Sequence, residues 1–201
     1  MMSHESKINR AIKLVAKISI DKASQVFSKL IKTGARIEME HAFLADITSV
    51  TEQVNRENAN VVGAFIDLTG EAKFKFLFHV PIQDSMILAD LMLRREAGTT
   101  KEFDLYAASA VQEIGNILAS AISGVFASDF GIDIQPTPPA VVNDYVGTVF
   151  QEFLVSALPE QNDILMIESC FHVIKNDIHC HMYLLPLGES EKILSYIINT
   201  T

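Results

Sequence analysis

The chain has 201 residues, of which 49% are hydrophobic, and a net charge of −9 at neutral pH. A chain of this size buries about 70% of its unfolded surface, so it needs neither disulfides nor a metal to be stable. The acidic balance argues against nucleic-acid binding, which depends on basic side chains that neutralise phosphates. Two cysteines, Cys170 and Cys180, favour a reducing, cytoplasmic location. We find neither a secretory signal nor about 18 consecutive apolar residues, so we predict no membrane span.

Positive charge is concentrated in residues 1–36, which contain eight of the sixteen Lys and Arg residues and only two acidic ones. The favoured interpretation is a solvated helix face that is attracted to the acidic remainder of the chain. The alternative is a docking surface for an acidic partner or an anionic membrane.

The first half of the chain alternates between helical and extended patterns. Apolar residues at helical spacing predict a first helix, and runs of β-branched and aromatic residues predict strands. The sequence Leu68-Thr69-Gly70-Glu71 is typical of a hairpin turn. The predicted elements are a helix over 6–33, strands over 36–42, 60–67 and 72–82, and a helix over 84–96.

The second half repeats this order at an offset of about 95 residues. Its elements are a helix over 103–130, a strand from Ile132 to Pro136, an extended piece over 148–158, strands over 163–174 and 178–187 around Asn176-Asp177, and a helix over 189–198. We therefore predict one α+β domain over 1–201, built from two related halves, about 6–97 and 102–199, around a common sheet.

The segment that carries chemistry lies in the long helix over 103–130. At 100° per residue, Ser109, Glu113, Asn116 and Ser120 fall within an arc of about 60°. The opposite side of the same helix is apolar and predicted to be buried; it contains Val111, Ile114, Leu118, Ile122 and Val125. A carboxylate and an amide three residues apart are neighbours on such a face, but this spacing alone is also typical of solvated surface residues.

The spacing resembles the motif of the CheC/CheX/FliY phosphatases: Asp or Ser, three residues, Glu, two residues, Asn, twenty-two residues, Pro. Ser109, Glu113, Asn116 and Pro139 stand at these separations. The duplicated order of elements resembles CheC over nearly the whole chain, and the length and terminal helix favour CheC over the shorter CheX. The resemblance implies a CheC-like fold and a chemotaxis phosphatase that removes the aspartyl phosphate of a CheY-like response regulator.

The residue types suit that reaction. An amide orients a water molecule without competing as a nucleophile, as a glutamine does in GTPases, and this role is predicted for Asn116. The resemblance implies that Glu113 grips the active-site lysine of the regulator. Ser109 and Pro139 are predicted to support the site. No intrinsic cofactor is expected, because Mg²⁺ arrives with the regulator.

The first half departs from the family pattern, in which the motif often occurs twice. At the offset of 95, Glu113 corresponds to Ile18 and Asn116 to Asp21, so we predict one active site, in the second half. Because the first half lacks the motif, an alternative stays open: a non-catalytic adaptor that binds a response regulator or a CheD-type deamidase.

A second polar cluster lies on the hairpin over 163–187. If Asn176-Asp177 forms a two-residue turn, His172 pairs with His181, and Cys170 and His179 share their face. These are metal-ligand types, but their spacing matches no common zinc motif, so a half-exposed polar face or an interface is favoured and no metal site is predicted. Cys180 is predicted to be buried on the opposite face, which argues against a disulfide with Cys170. Edge strands leave a homodimer open.

Overall fold

The fold is described from a computed structural model of the chain. It describes residues 17–29, 37–46, 50–52, 54, 59–156, 165–173, 176–188 and 190. The first helix, α1, occupies residues 17–29 of the described part. The remainder of the predicted helix over 6–33, and nearly all of the predicted helix over 189–198, lie outside the described residues.

In the described part of the chain, seven strands form one sheet, and every pairing between them is antiparallel. The order across the sheet is β1-β6-β7-β3-β2, and the outer edge of β2 pairs with both β4 and β5. The strands are β1 (Ile37–Asp46), β2 (Asn60–Gly70), β3 (Phe74–Pro81), β4 (Ile134–Pro136), β5 (Ala140–Tyr145), β6 (Leu165–Val173) and β7 (Ile178–Pro186).

Helices α2 (Ile82–Met92) and α3 (Leu105–Phe130) cover one side of the sheet together with α1. We call this side the α3 face. Alternate residues of β3, such as Phe74, Phe76 and Phe78, point into the core beneath these helices, as the two-residue period of a strand requires. Among the described residues, this cluster is the larger of two hydrophobic cores.

The other side of the sheet, which we call the α4 face, is covered by helix α4 (Val146–Val155). The prediction of an extended piece over 148–158 is wrong. Val146, Val149, Phe150 and Phe153 are all buried, and their spacing of three, four and seven residues is the period of a helix. β-Branched and aromatic residues favoured a strand, and tertiary packing overrode that preference.

Two turns differ from their predicted positions. Strand β2 continues through Leu68 to Gly70, because Leu68–Gly70 also pair with β4; the turn to β3 therefore comes later than predicted. In the second hairpin, His172 pairs with His179 and Cys170 with His181. The predicted register is wrong by two residues, because the connection between β6 and β7 is longer than the two residues Asn176-Asp177.

The predicted α+β class is confirmed by the antiparallel sheet with helices on both sides, and the predicted CheC-like fold by the structural comparisons described below. The division into two halves, about 6–97 and 102–199, stays a prediction. Cys180 and Met182 are buried in the core of the α3 face, as expected.

Candidate functional site

Helix α3, which carries the predicted site residues, is capped at both ends. The side chain of Asp104 accepts hydrogen bonds from the backbone N–H groups of Tyr106 and Ala107, each at 2.9 Å. At the other end Gly131 adopts a left-handed conformation with φ of 67°, which glycine tolerates without strain. The N-terminal turns of α3 are therefore fixed in position.

One side of α3 is packed tightly against the sheet. A Cβ atom added to Gly115 would lie 3.1 Å from the Cβ of Ala64 and 3.3 Å from the Cδ1 of Ile66. Gly115 thus permits the close approach of α3 to β2. By length and composition α3 is the one described helix apolar enough to cross a membrane, but 56% of its most apolar window is buried inside the protein, as in a core helix.

The opposite side of α3 is exposed and polar. Ser109, Glu113, Asn116 and Ser120 are all exposed, so the structure brings the predicted residues of α3 onto one accessible face. Glu113 and Asn116 border an open groove of about 320 Å³, whose other wall is the segment Pro136–Pro139. Pro139 is partly buried and contributes a wall, in keeping with a supporting position.

Two residues that the sequence interpretation did not single out fix this groove. The Nε2 of Gln112 donates to the backbone carbonyl of Pro139 at 3.3 Å and links the two walls. Thr137 is tied to β2: its backbone N–H donates to the carbonyl of Asp67 at 2.8 Å, and its Oγ1 accepts from the Asp67 N–H at 3.1 Å. Gln112 lies one helical turn before Asn116, and this spacing is the sequence signal that indicates it.

The connection between α2 and α3 is held by Asp90, a buried residue of α2. Its carboxylate accepts hydrogen bonds from the backbone N–H of Thr100 at 3.1 Å and from the Thr100 hydroxyl at 2.6 Å. Burial acts to raise the pKa of Asp90, but the hydrogen bonds of Thr100, Thr99 and Gly98 outweigh it and lower that pKa below 3.8. The charged carboxylate braces the loop that leads into the site helix.

The corresponding positions of the first half have a different environment. Ile18 is partly buried and packs at the margin of the core of the α3 face. Asp21 is exposed and pairs with Lys17 at 2.8 Å, one turn away on the same helix. Neither position in α1 offers the carboxylate and amide pair of α3.

The histidine cluster includes one residue that the sequence interpretation missed. His79 of β3 is only 3% exposed and stacks on His181 and Tyr183, with ring centroids 5.0 and 5.7 Å away. Neither of its ring nitrogens has a hydrogen-bond partner within the described part of the chain. Burial, and then the nearby His181, lower the pKa of His79 to about 3, so this ring is neutral at physiological pH.

Among the side chains that the structure describes, no group of three or more His, Cys, Asp and Glu is arranged to hold a metal ion. His179 is half exposed and lies 3.5 Å from Asp177. The side chains of Cys170 and His172, the other members of the predicted polar face, lie outside the described residues.

The sequence model of the CheC-like family matches residues 107–142, the stretch that includes both walls of the groove. The fold is similar to FliY of Thermotoga maritima, with a TM-score of 0.75 and 16% identity, covering 96% of each chain.

Two further solved structures share the fold. CheX in the CheX–CheY–BeF3–Mg²⁺ complex of Borrelia burgdorferi has a TM-score of 0.55 and 18% identity, covering 85% of this chain and 96% of that one. A chain of the FliG–FliM complex of H. pylori has a TM-score of 0.66 and 10% identity, covering 96% and 100%. A segment of the chain therefore matches the CheC-like family, and the fold of the whole is similar to those of FliY and CheX.

Proposed function

We propose that this protein is a chemotaxis-type phosphatase that hydrolyses the aspartyl phosphate of a CheY-like response regulator, with one active site on α3. The observation that carries the proposal is the exposure of Glu113 and Asn116 together on the polar side of a rigid helix, beside an open groove. A convex helix face suits a protein substrate, whose phosphorylated residue lies in a shallow depression of its own.

The chemistry requires only positioning. Asn116 accepts a hydrogen bond from the attacking water through Oδ1 and holds it in line with the bond between phosphorus and the aspartyl oxygen. Water adds to the phosphorus, the aspartyl carboxylate leaves, and inorganic phosphate is released. In this scheme no strong base removes a proton from the water. The rate therefore depends on how precisely the Asn116 amide holds the water in position.

Glu113 supplies that precision. Its carboxylate makes a charge-assisted hydrogen bond to the active-site lysine of the regulator and fixes α3 over the phosphate. Pro139 supports one wall of the groove, Gln112 keeps its two walls together, and Ser109 supports the exposed face of α3 one turn before Glu113. The Mg²⁺ that neutralises the phosphoryl oxygens belongs to the regulator, and the phosphatase itself contributes no cofactor.

A second candidate function is a non-catalytic adaptor. The fold is more similar to the chain of the FliG–FliM complex, with a TM-score of 0.66, than to CheX, with a TM-score of 0.55. In addition, the first half lacks the motif. In this alternative the chain binds a response regulator, or a CheD-type deamidase, in the cytoplasm without changing the phosphate. A homodimer stays open in either case.

The test is the decay of phosphorylated, Mg²⁺-loaded CheY-type regulators from the same genome, measured with and without the protein. The proposal expects at least one regulator to lose its phosphate about tenfold faster or more, which corresponds to about 1.4 kcal/mol of barrier. If regulators loaded with BeF3 and Mg²⁺ bind the protein but none is dephosphorylated faster, the adaptor function replaces the phosphatase.

A further inference from the structure

Exposed apolar side chains gather at the N-terminal end of α3. Of the six large hydrophobic side chains that are exposed in the described part of the chain, three lie here: Leu93, Leu105 and Tyr106, with exposures of 39%, 84% and 55%. Apolar groups grouped on a surface usually mark a protein interaction site.

Beside these side chains lies a groove between α2 and α3, with a volume of about 330 Å³. Its floor is apolar, since Ala89 and Ala110 are buried and Met92 is partly buried. Small residues at the floor let the two helices approach and leave room for an inserted side chain above them. Because Asp104 caps α3 and Asp90 braces the loop before it, the groove is preformed.

The ends of this groove carry opposite charges. Arg94 and Arg95 are exposed just after α2, and the guanidinium of Arg95 lies 5.6 Å from the centre of the Tyr106 ring. Glu113 stands at the other end. A partner surface that is complementary to this groove would carry an apolar side chain, with an acidic group facing the arginines on one side and a lysine facing Glu113 on the other.

The groove is also continuous with the candidate catalytic site. Gln112 and Glu113 line both it and the groove beside Asn116. A stable protein interface buries about 800 Å² on each partner, which is far more than Glu113 and Asn116 alone provide. A regulator whose lysine meets Glu113 must therefore lie over the apolar groove as well.

We propose that the groove between α2 and α3, lined in part by Leu93 and Tyr106 and extended by the exposed Leu105 next to Tyr106 in the chain, is the docking site that selects the response regulator. The occupant is an apolar side chain of the regulator, flanked by an acidic residue that faces Arg94 and Arg95. This proposal rests on the proposed function. In it the groove determines the affinity for the regulator, and Asn116 determines the rate of dephosphorylation.

The test is Leu105→Glu, assayed against the phosphorylated, Mg²⁺-loaded regulator that the wild-type protein dephosphorylates. Leu105 is the first residue of α3 and is 84% exposed, so a glutamate there costs no packing and is favoured by the helix dipole. The matched control is Val155→Glu, a 58% exposed residue of α4 on the other side of the sheet. Thermal unfolding verifies that both variants fold.

The expected result is a rise in KM of about tenfold for Leu105→Glu, equivalent to about 1.4 kcal/mol of binding, with kcat unchanged. Val155→Glu keeps the KM of the wild type. The dissociation constant of the regulator loaded with BeF3 and Mg²⁺ should rise in parallel.

A KM that Leu105→Glu leaves unchanged overturns the docking site while the phosphatase activity stands. A change in oligomeric state of Leu105→Glu, seen by light scattering without a change in KM, assigns the patch to a second copy instead. Absence of acceleration by the wild-type protein is failure of the proposed function itself.

Discussion

The two sides of the sheet use polar residues in different ways. On the α3 face the polar groups lie on the outer side of a covering helix, where Glu113 and Asn116 are exposed above an apolar core. On the α4 face polar rings lie within the sheet, where His79 is buried against His181 and Tyr183. The first arrangement leaves polar side chains accessible from solvent, and the second removes them from water.

This difference shows where the burial of a residue follows from the local sequence pattern and where it follows from tertiary packing. A helix that covers a sheet keeps its buried and exposed sides apart through its own periodicity. A strand that is buried on both sides has no such division, because all residues from Phe74 to Val80 except Lys75 are buried. We expect substitutions on the two faces to differ in sign accordingly.

The largest effect on stability is expected for Gly115→Leu in α3. A Cβ at this position already lies within 3.1 Å of Ala64, so a larger side chain forces α3 away from β2 and lowers the free energy of unfolding by about 1–3 kcal/mol. The control is Gly124→Ala in the same helix, where no atom lies within 4 Å of the added Cβ. That variant should gain about 1 kcal/mol. Urea unfolding of both variants makes the comparison; equal effects at the two positions would contradict the close approach.

An increase in stability, opposite to the effect of Gly115→Leu, is expected for His79→Leu on the α4 face. Both ring nitrogens of His79 are buried without a hydrogen-bond partner among the described residues. An apolar side chain of similar size removes that unsatisfied polar group and should raise the free energy of unfolding by about 1 kcal/mol.

The matched control for His79→Leu is His179→Leu. His179 lies on the same side of the neighbouring strand, but its side chain is 47% exposed, and a change within about 0.5 kcal/mol is expected. Both variants are unfolded in urea at neutral pH with a chelator present. A loss of stability in His79→Leu alone would mean that the imidazole itself holds the α4 face together.

A smaller, pH-dependent effect is expected for Asp90→Asn, in the loop that fixes the site helix. Burial raises the pKa of Asp90 but the hydrogen bonds from Thr100 prevail, so the folded-state pKa lies below 3.8. The charged carboxylate therefore stabilises the fold above pH 3.8, and this contribution is lost as the pH falls through the folded-state pKa. The variant should be less stable than wild type by about 1 kcal/mol near neutral pH.

Thermal unfolding across the acid range measures this effect. The difference between wild type and Asp90→Asn should shrink as the pH drops below 3.8. A difference that is constant with pH would show that the shape of the side chain, rather than its charge, holds the loop.

Much of the α3 face could be predicted from the sequence. The long helix shows seven turns of periodicity, so its buried side and the exposed positions of Glu113 and Asn116 follow from the helical angle alone. Gln112 was missed although it lies on the adjoining arc, because its bond to Pro139 depends on how β4 and β5 run past the helix.

The α4 face could not be predicted as well. Helix α4 has ten residues, and its valines and phenylalanines are equally typical of strands. The register of β6 and β7 depends on the length of a turn that Asn176-Asp177 does not fix. His79 stands in an apolar run with no alternation, so its environment follows only from which strands pair beside it.

The measurement that tests the central claim most directly separates binding from catalysis in Asn116→Ala. Ser120→Ala, one turn further along the same exposed side of α3, is its control. The account predicts that Asn116→Ala binds the regulator loaded with BeF3 and Mg²⁺ as tightly as wild type, yet loses at least about tenfold in the rate of dephosphorylation, or about 1.4 kcal/mol. Ser120→Ala should retain both. A full rate in Asn116→Ala would contradict the water-orienting role and, with it, the assignment of the active site to α3.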